Sequence, residues 1–104
     1  MAKLRWTEKA SKNLQSIHEY IARDSKIYAG RFVKSLILAT RKLEKLPQCG
    51  RIVPELESHG LREVIYGNYR IVYRYLRESK EVQVLAIVHG ARDIRRVLRE
   101  EWLL

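Results

Sequence analysis

Three residues carry the chemistry this chain is able to offer. Glu55 ends the segment Arg51-Ile-Val-Pro-Glu55, Arg70 lies within Gly67-Asn-Tyr-Arg-Ile-Val-Tyr73, and His89 opens His89-Gly-Ala-Arg-Asp93. A carboxylate, a guanidinium and an imidazole around one surface support phosphoryl transfer without a metal. One group takes the proton of a ribose 2′-hydroxyl, the arginine neutralises the pentavalent phosphate, and the third group protonates the leaving 5′-oxygen. Each residue also has a plainer reading. On sequence alone the solvated loop carboxylate is the leading reading of Glu55. Arg70 is equally a structural arginine paired to Glu63 or to another carboxylate across a sheet. His89 can simply hydrogen-bond the chain, and Asp93 can be no more than a helix cap. Competing chemistries find no support. His18, His59 and His89 lack metal-ligand spacing and Cys49 stands alone, so neither a metal nor a cofactor is expected. Phosphate-cradling glycine loops and the GxSxG and HExxH signatures are missing.

Strands must hold these residues. Leu61 to Tyr66, Tyr69 to Leu76 and Val82 to His89 read as three strands, joined by Gly67-Asn68 and by Arg77-Glu-Ser-Lys-Glu81. Connections that short pair the strands antiparallel in chain order. In the middle strand Tyr69, Ile71, Tyr73 and Tyr75 project to one face, and Arg70, Val72, Arg74 and Leu76 to the other. Upstream, Lys3-Leu-Arg-Trp6 alternates like a strand and Thr7 is placed to cap a helix. Ala10, Leu14, Ile17 and Ile21 make one helical stripe, and Ala29, Phe32, Val33, Leu36, Ala39 and Leu43 make a second. Asp24-Ser25 separates them, so the two helices should form an antiparallel hairpin. A loop from Pro47 to Gly60 leads into the sheet, and Asp93 can start a last helix with Ile94, Val97, Leu98 and Trp102 on one face. The expected fold is α+β, in the order β-α-α-β-β-β with a short C-terminal helix, forming a single domain over residues 1–104. The helical hairpin should pack on one face of the sheet and leave the other concave and open.

Composition sets the wider limits. The formal charge of +9 calls for an anionic partner, either nucleic acid or an acidic protein. Residues 1–50 hold seven Lys and four Arg, whereas residues 51–104 hold one Lys and nine Arg. Lysines give helices a diffuse solvated field, whereas arginines make geometric contacts with phosphate. One cysteine permits no intrachain disulfide and fits a reducing compartment. The longest apolar run is the five residues Val84 to Val88, far short of a membrane span or signal core. A cytoplasmic protein without a membrane partner is expected.

Read together, these segments resemble the RelE/ParE superfamily of toxins from type II toxin–antitoxin modules, also called plasmid stabilisation proteins. The likeness runs through Leu14, Ile17, Tyr20-Ile21, Tyr28-Ala29, Phe32-Val33, Leu46-Pro47, Gly50 to Glu55 and Arg62-Glu63, then through Gly67 to Tyr73 and His89 to Asp93. The resemblance implies the same β-α-α-β-β-β order, a cognate antitoxin as partner, and one of two targets. RelE-like members cut mRNA on the ribosome, and ParE-like members poison DNA gyrase without being nucleases. In the YoeB-like nuclease branch a loop glutamate, a strand arginine and a C-terminal histidine act, which match Glu55, Arg70 and His89. By that match Glu55 is the general base, Arg70 stabilises the phosphorane and His89 is the general acid, with Arg51, Arg62, Arg74 and Arg92 as RNA and phosphate contacts. The tyrosine that follows the histidine in that branch is Gly90 here, and Lys80 is the only lysine after residue 45. ParE-like members often lose the strand arginine, which this chain keeps, yet its long helical hairpin suits them. Ribosome-dependent mRNA cleavage is therefore the leading expectation, gyrase poisoning the alternative. A third possibility is an inactive member whose arginines serve only the antitoxin complex.

Overall fold

Hydroxyls start the two long helices. In the computed structural model, which describes residues 1–102 and side chains as far as residue 98, Thr7 Oγ1 accepts the Ala10 amide at 3.2 Å. Ser25 Oγ accepts the Tyr28 amide at 3.1 Å. Each hydroxyl satisfies an amide that the helix start leaves without an intrahelical partner. The Thr7 hydroxyl also donates to the Val84 carbonyl at 2.9 Å, tying the helix start to the sheet. Helix α1 runs Glu8–Ala22 and α2 runs Lys26–Arg41, followed by a 3₁₀ turn over Lys42–Glu44. Both expected apolar stripes face inward: Ala10, Ile17, Ala29, Leu36 and Leu43 are buried, and Leu14, Ile21 and Phe32 pack against them. Among the described residues no helix is long and apolar enough to cross a membrane.

The sheet has five strands: β1 (Lys3–Trp6), β2 (Arg51–Ile52), β3 (Arg62–Tyr66), β4 (Tyr69–Leu76) and β5 (Glu81–His89). Their spatial order is β1-β5-β4-β3-β2. β1 lies parallel to β5 with Leu4 opposite Val82, and every other pair is antiparallel. The expected element order holds, with α3 (Ile94–Trp102) closing the chain. β2 is additional: two residues are too short for alternation to reveal.

The second face of the sheet is covered, contrary to the open concave surface expected. Val53, Leu56, Leu61, Val72, Leu85, Ala86, Val88, Ile94 and Leu98 form a second core beneath α3 and the 3₁₀ segment Pro54–His59. The cause lies in β5, a central strand apolar on both sides. Val72 pairs with Ala86 but Tyr73 pairs with Val84, so Leu85 is an extra residue in β5. The bulge sends Val82, Val84 and Ile87 to the helical-hairpin core and Leu85, Ala86 and Val88 to the other. That much apolar surface requires a cover, and α3 supplies it. The side chain of Trp102, assigned above to this helix, lies outside the described residues.

Candidate functional site

Alternation along β3 turns Val64 and Tyr66 toward the helical hairpin, and Glu63 and Ile65 toward the opposite face. Ile65 pairs with Arg70 across the sheet, so Arg70 emerges beside Glu63. The Glu63 side chain is fully buried and its two oxygens serve two arginines. Oε1 accepts Arg70 Nε at 2.5 Å, and Oε2 accepts Arg51 Nε at 2.6 Å. The remaining fork of Arg70 donates to Glu55, Nη1 to Oε2 at 2.7 Å and Nη2 to Oε1 at 2.8 Å. Four charges thus alternate in one chain: Arg51, Glu63, Arg70, Glu55.

Glu55 reaches Arg70 because Pro54 opens the 3₁₀ segment and Leu56 anchors it in the second core. Arg95 Nε of α3 donates to the Glu55 carbonyl at 3.0 Å and holds the turn from the far side. The hydrogen bonds from Arg70 hold the Glu55 carboxyl down to about 2, against 4.5 ordinarily. Those same bonds to Glu55 and Glu63 push the Arg70 guanidinium further up. Glu55 is therefore a firmly ionised partner of Arg70 at neutral pH. A general base works best with a pKa near the working pH, and this one lies far below it.

His89 ends β5 opposite Tyr69, as Val88 is opposite Arg70. Directly opposed residues share a face, so His89 lies with Tyr69 on the helical-hairpin side and Arg70 on the other. The His89 and Tyr69 rings meet edge to face with centroids 5.5 Å apart, and His89 Nδ1 accepts the Ala91 amide at 3.2 Å. Tyr69 also packs on Phe32, and burial pushes its phenol up. Arg51, Arg70 and His89 do border one open depression of ≈ 370 Å³ at the end of the sheet, together with Ile65, Gly67 and Asn68. Glu55 is not among its lining residues.

The other arginines are dispersed. Arg62 Nη1 donates to the Gly50 carbonyl at 2.8 Å. Arg74 Nε donates to Gln83 Oε1 at 2.6 Å, on the strand pair away from the β2 edge. Arg92 lines a separate depression between α1 and α3. The structure thus brings Glu55, Arg70 and Arg51 together through Glu63, and leaves His89, Arg62, Arg74 and Arg92 outside that network. Sequence reasoning named Glu63 only as a possible partner of Arg70, and passed over Asn13 and Arg96, which join Arg92 at its depression. No short-range pattern marks those two, because α1 and α3 meet only through the fold.

A sequence model of the ParE toxin of the type II toxin–antitoxin system, parDE, matches residues 4–94. The toxin candidate Y4kP of Sinorhizobium fredii is 29% identical over 96 residues, covering 92% of this chain and 96% of that protein. Among solved structures, the chromosomal ParDE system of P. aeruginosa superposes with a TM-score of 0.68 at 24% identity, over 86% of this chain and 96% of that one. The RelBE2 toxin–antitoxin complex of Mycobacterium tuberculosis superposes with a TM-score of 0.64 at 21% identity, over 85% and 96%. At those identities the structural likeness establishes the fold, while the match over residues 4–94 establishes the family. The chain belongs to the ParE toxin family of type II toxin–antitoxin systems, within the RelE/ParE superfamily.

Proposed function

We propose that this toxin arrests growth by binding its target and not by cutting RNA, that the target is DNA gyrase, and that a cognate antitoxin holds it inactive. The observation that carries this reading is the state of Arg70. Its guanidinium is buried and bound to Glu63 and, bidentately, to Glu55. An arginine so engaged must break two ion pairs before it meets a phosphorane. Glu55 is at the same time a poor base and lies outside the depression that Arg70 and His89 border, where His89 packs on Tyr69 and accepts the Ala91 amide. In this reading Arg51, Glu63, Arg70 and Glu55 fasten β2 and the 3₁₀ segment to the sheet. The ParE family match supports gyrase as the target, given what ParE-like members do. The neighbours of like fold are toxin–antitoxin assemblies, which supports an antitoxin partner.

The test is made in one culture after induction of the toxin alone. Plasmid topology on a supercoiling gel should change and gyrase-dependent breaks should accumulate, while primer extension on a reporter message shows no new 5′ ends. Codon-phased cuts in the message with unchanged plasmid topology would replace this reading with ribosome-dependent cleavage.

A further inference from the structure

Helix α2 keeps apolar side chains on the side that meets water. Ile27, Tyr28, Ile37 and Leu38 are all exposed, Ile27 by 71% and Leu38 by 53%. Ile27, Arg31, Lys34 and Leu38 follow one another at offsets of four, three and four. They therefore line the face opposite the buried Ala29, Leu36 and Thr40. The helix carries four cations and no carboxylate. Among the described residues Lys26, Arg31 and Lys34 form no ion pair. The carboxylates at its ends are Asp24 before it and Glu44 after it, the latter 3.9 Å from Arg41. On the adjoining α1, Glu8 pairs with Lys12 at 3.0 Å and Glu19 accepts Gln15 Nε2 at 3.3 Å. Gly30 adds a second observation. It is exposed in the helix interior, bordered by Ile27, Lys34 and Ile37, and a Cβ there would meet nothing within 4 Å. Glycine weakens a helix, and no internal contact here calls for one. What it leaves is a notch beside the apolar stripe.

We propose that the exposed face of α2 is the docking surface for an acidic amphipathic helix of the cognate antitoxin. The inference rests on the antitoxin reading above and adds the surface and the chemistry of the segment that meets it. Apolar anchors one to two turns apart are what a helix offers on one side, and Ile27 and Leu38 stand ready to bury them. Carboxylates between those anchors would meet Arg31 and Lys34, whose charges are otherwise unanswered. The notch at Gly30 lets the partner backbone come close. Other occupants fit less well. A second copy would set Arg31 and Lys34 against like charges. A phosphate backbone would leave Ile27 and Leu38 facing charge, and a bilayer takes an apolar face that cations do not interrupt.

The experiment is calorimetric titration of the purified toxin with its purified cognate antitoxin across a salt series, with no gyrase present. Ile27→Ser with Leu38→Ser should weaken binding roughly tenfold or more. Arg31→Gln with Lys34→Gln should weaken it roughly tenfold at low salt and flatten its salt dependence. Lys3→Gln with Arg77→Gln removes the same charge from exposed positions on β1 and the β4–β5 turn, and should change affinity less than about twofold. Gly30→Leu, whose side chain has room in the free toxin, should weaken the complex while the toxin alone melts no lower than the parent. Thermal melts confirm that the other variants are folded. Full affinity in the α2 variants, or equal losses in the Lys3 and Arg77 pair, would overturn the inference while the antitoxin reading stands. So would phosphatidylglycerol vesicles or a DNA duplex that the parent binds and the α2 variants do not, or a parent dimer in sedimentation that these variants dissolve. A parent that does not bind the antitoxin at all would remove the antitoxin reading and this inference with it.

Discussion

At the scale of single residues, Glu63 decides the character of the site. A carboxylate with no solvent exposure is tolerable only because two arginines meet it at 2.5 and 2.6 Å. Arg70→Ala leaves that buried charge half compensated and should cost roughly 3–5 kcal/mol of folding free energy. Denaturant unfolding of the variant beside the parent measures the loss. An unchanged midpoint would show that Arg70 is free to serve chemistry. Glu55 gives a prediction in pH. Its folded pKa of about 2 lies below its ordinary 4.5, so the ion pair stabilises fully above the ordinary value and loses its effect as pH falls toward 2. Urea midpoints measured between neutrality and strong acid should therefore fall more steeply for the parent than for Glu55→Gln, and parallel curves would refute the pairing. The sequence revealed part of this network. Alternation puts Glu63 and Arg70 in reach of each other, so their pairing is legible in the order of residues alone. Glu55 comes from a 3₁₀ turn, which has no periodicity to say where its carboxylate points. The faces occupied by His89 and Arg70 depend on register, which a set of motifs does not contain.

At the scale of elements, the narrow place is the arrival of β2 beside β3. Gly50 donates its amide to the buried Tyr73 hydroxyl at 2.9 Å. A Cβ at Gly50 would meet the Glu63 carbonyl at 2.6 Å and the Tyr73 ring at 2.7 Å. Neither the strand backbone nor a fully buried ring can withdraw, so Gly50→Ala should destabilise by about 1–3 kcal/mol through overpacking. A thermal melt tests this, and a transition equal to that of the parent would mean the strand shifts freely. The helices were legible because α1 and α2 repeat their apolar residues at helical spacing and begin at hydroxyls. The three long strands were legible because short polar turns separate them. The second core was not, for a local reason: the bulge at Leu85 breaks alternation in a run where every residue is apolar. A run of that kind does not say which residues face which way. Only the presence of α3 against Leu85, Ala86 and Val88 shows that both faces are buried.

At the scale of the whole molecule, the charge of +9 is divided between a field and a set of contacts. Lysines on the helices supply the field, whereas Arg51 and Arg70 are spent within the fold. An acidic antitoxin should be steered by the remainder, so its affinity should fall as salt rises, and a titration flat from low to high salt would point to a mainly apolar interface. The central claim is that this fold poisons by binding. It is tested most directly with purified components in parallel. In one reaction the toxin meets gyrase and closed circular plasmid. In the other it meets translating ribosomes carrying matched messages, one all-ribose and one with a single 2′-deoxy residue at the exposed codon. The account predicts gyrase-linked plasmid breaks and intact messages of both kinds. Cleavage of the ribose message to a 2′,3′-cyclic phosphate, with the deoxy message spared and the plasmid unbroken, would contradict it.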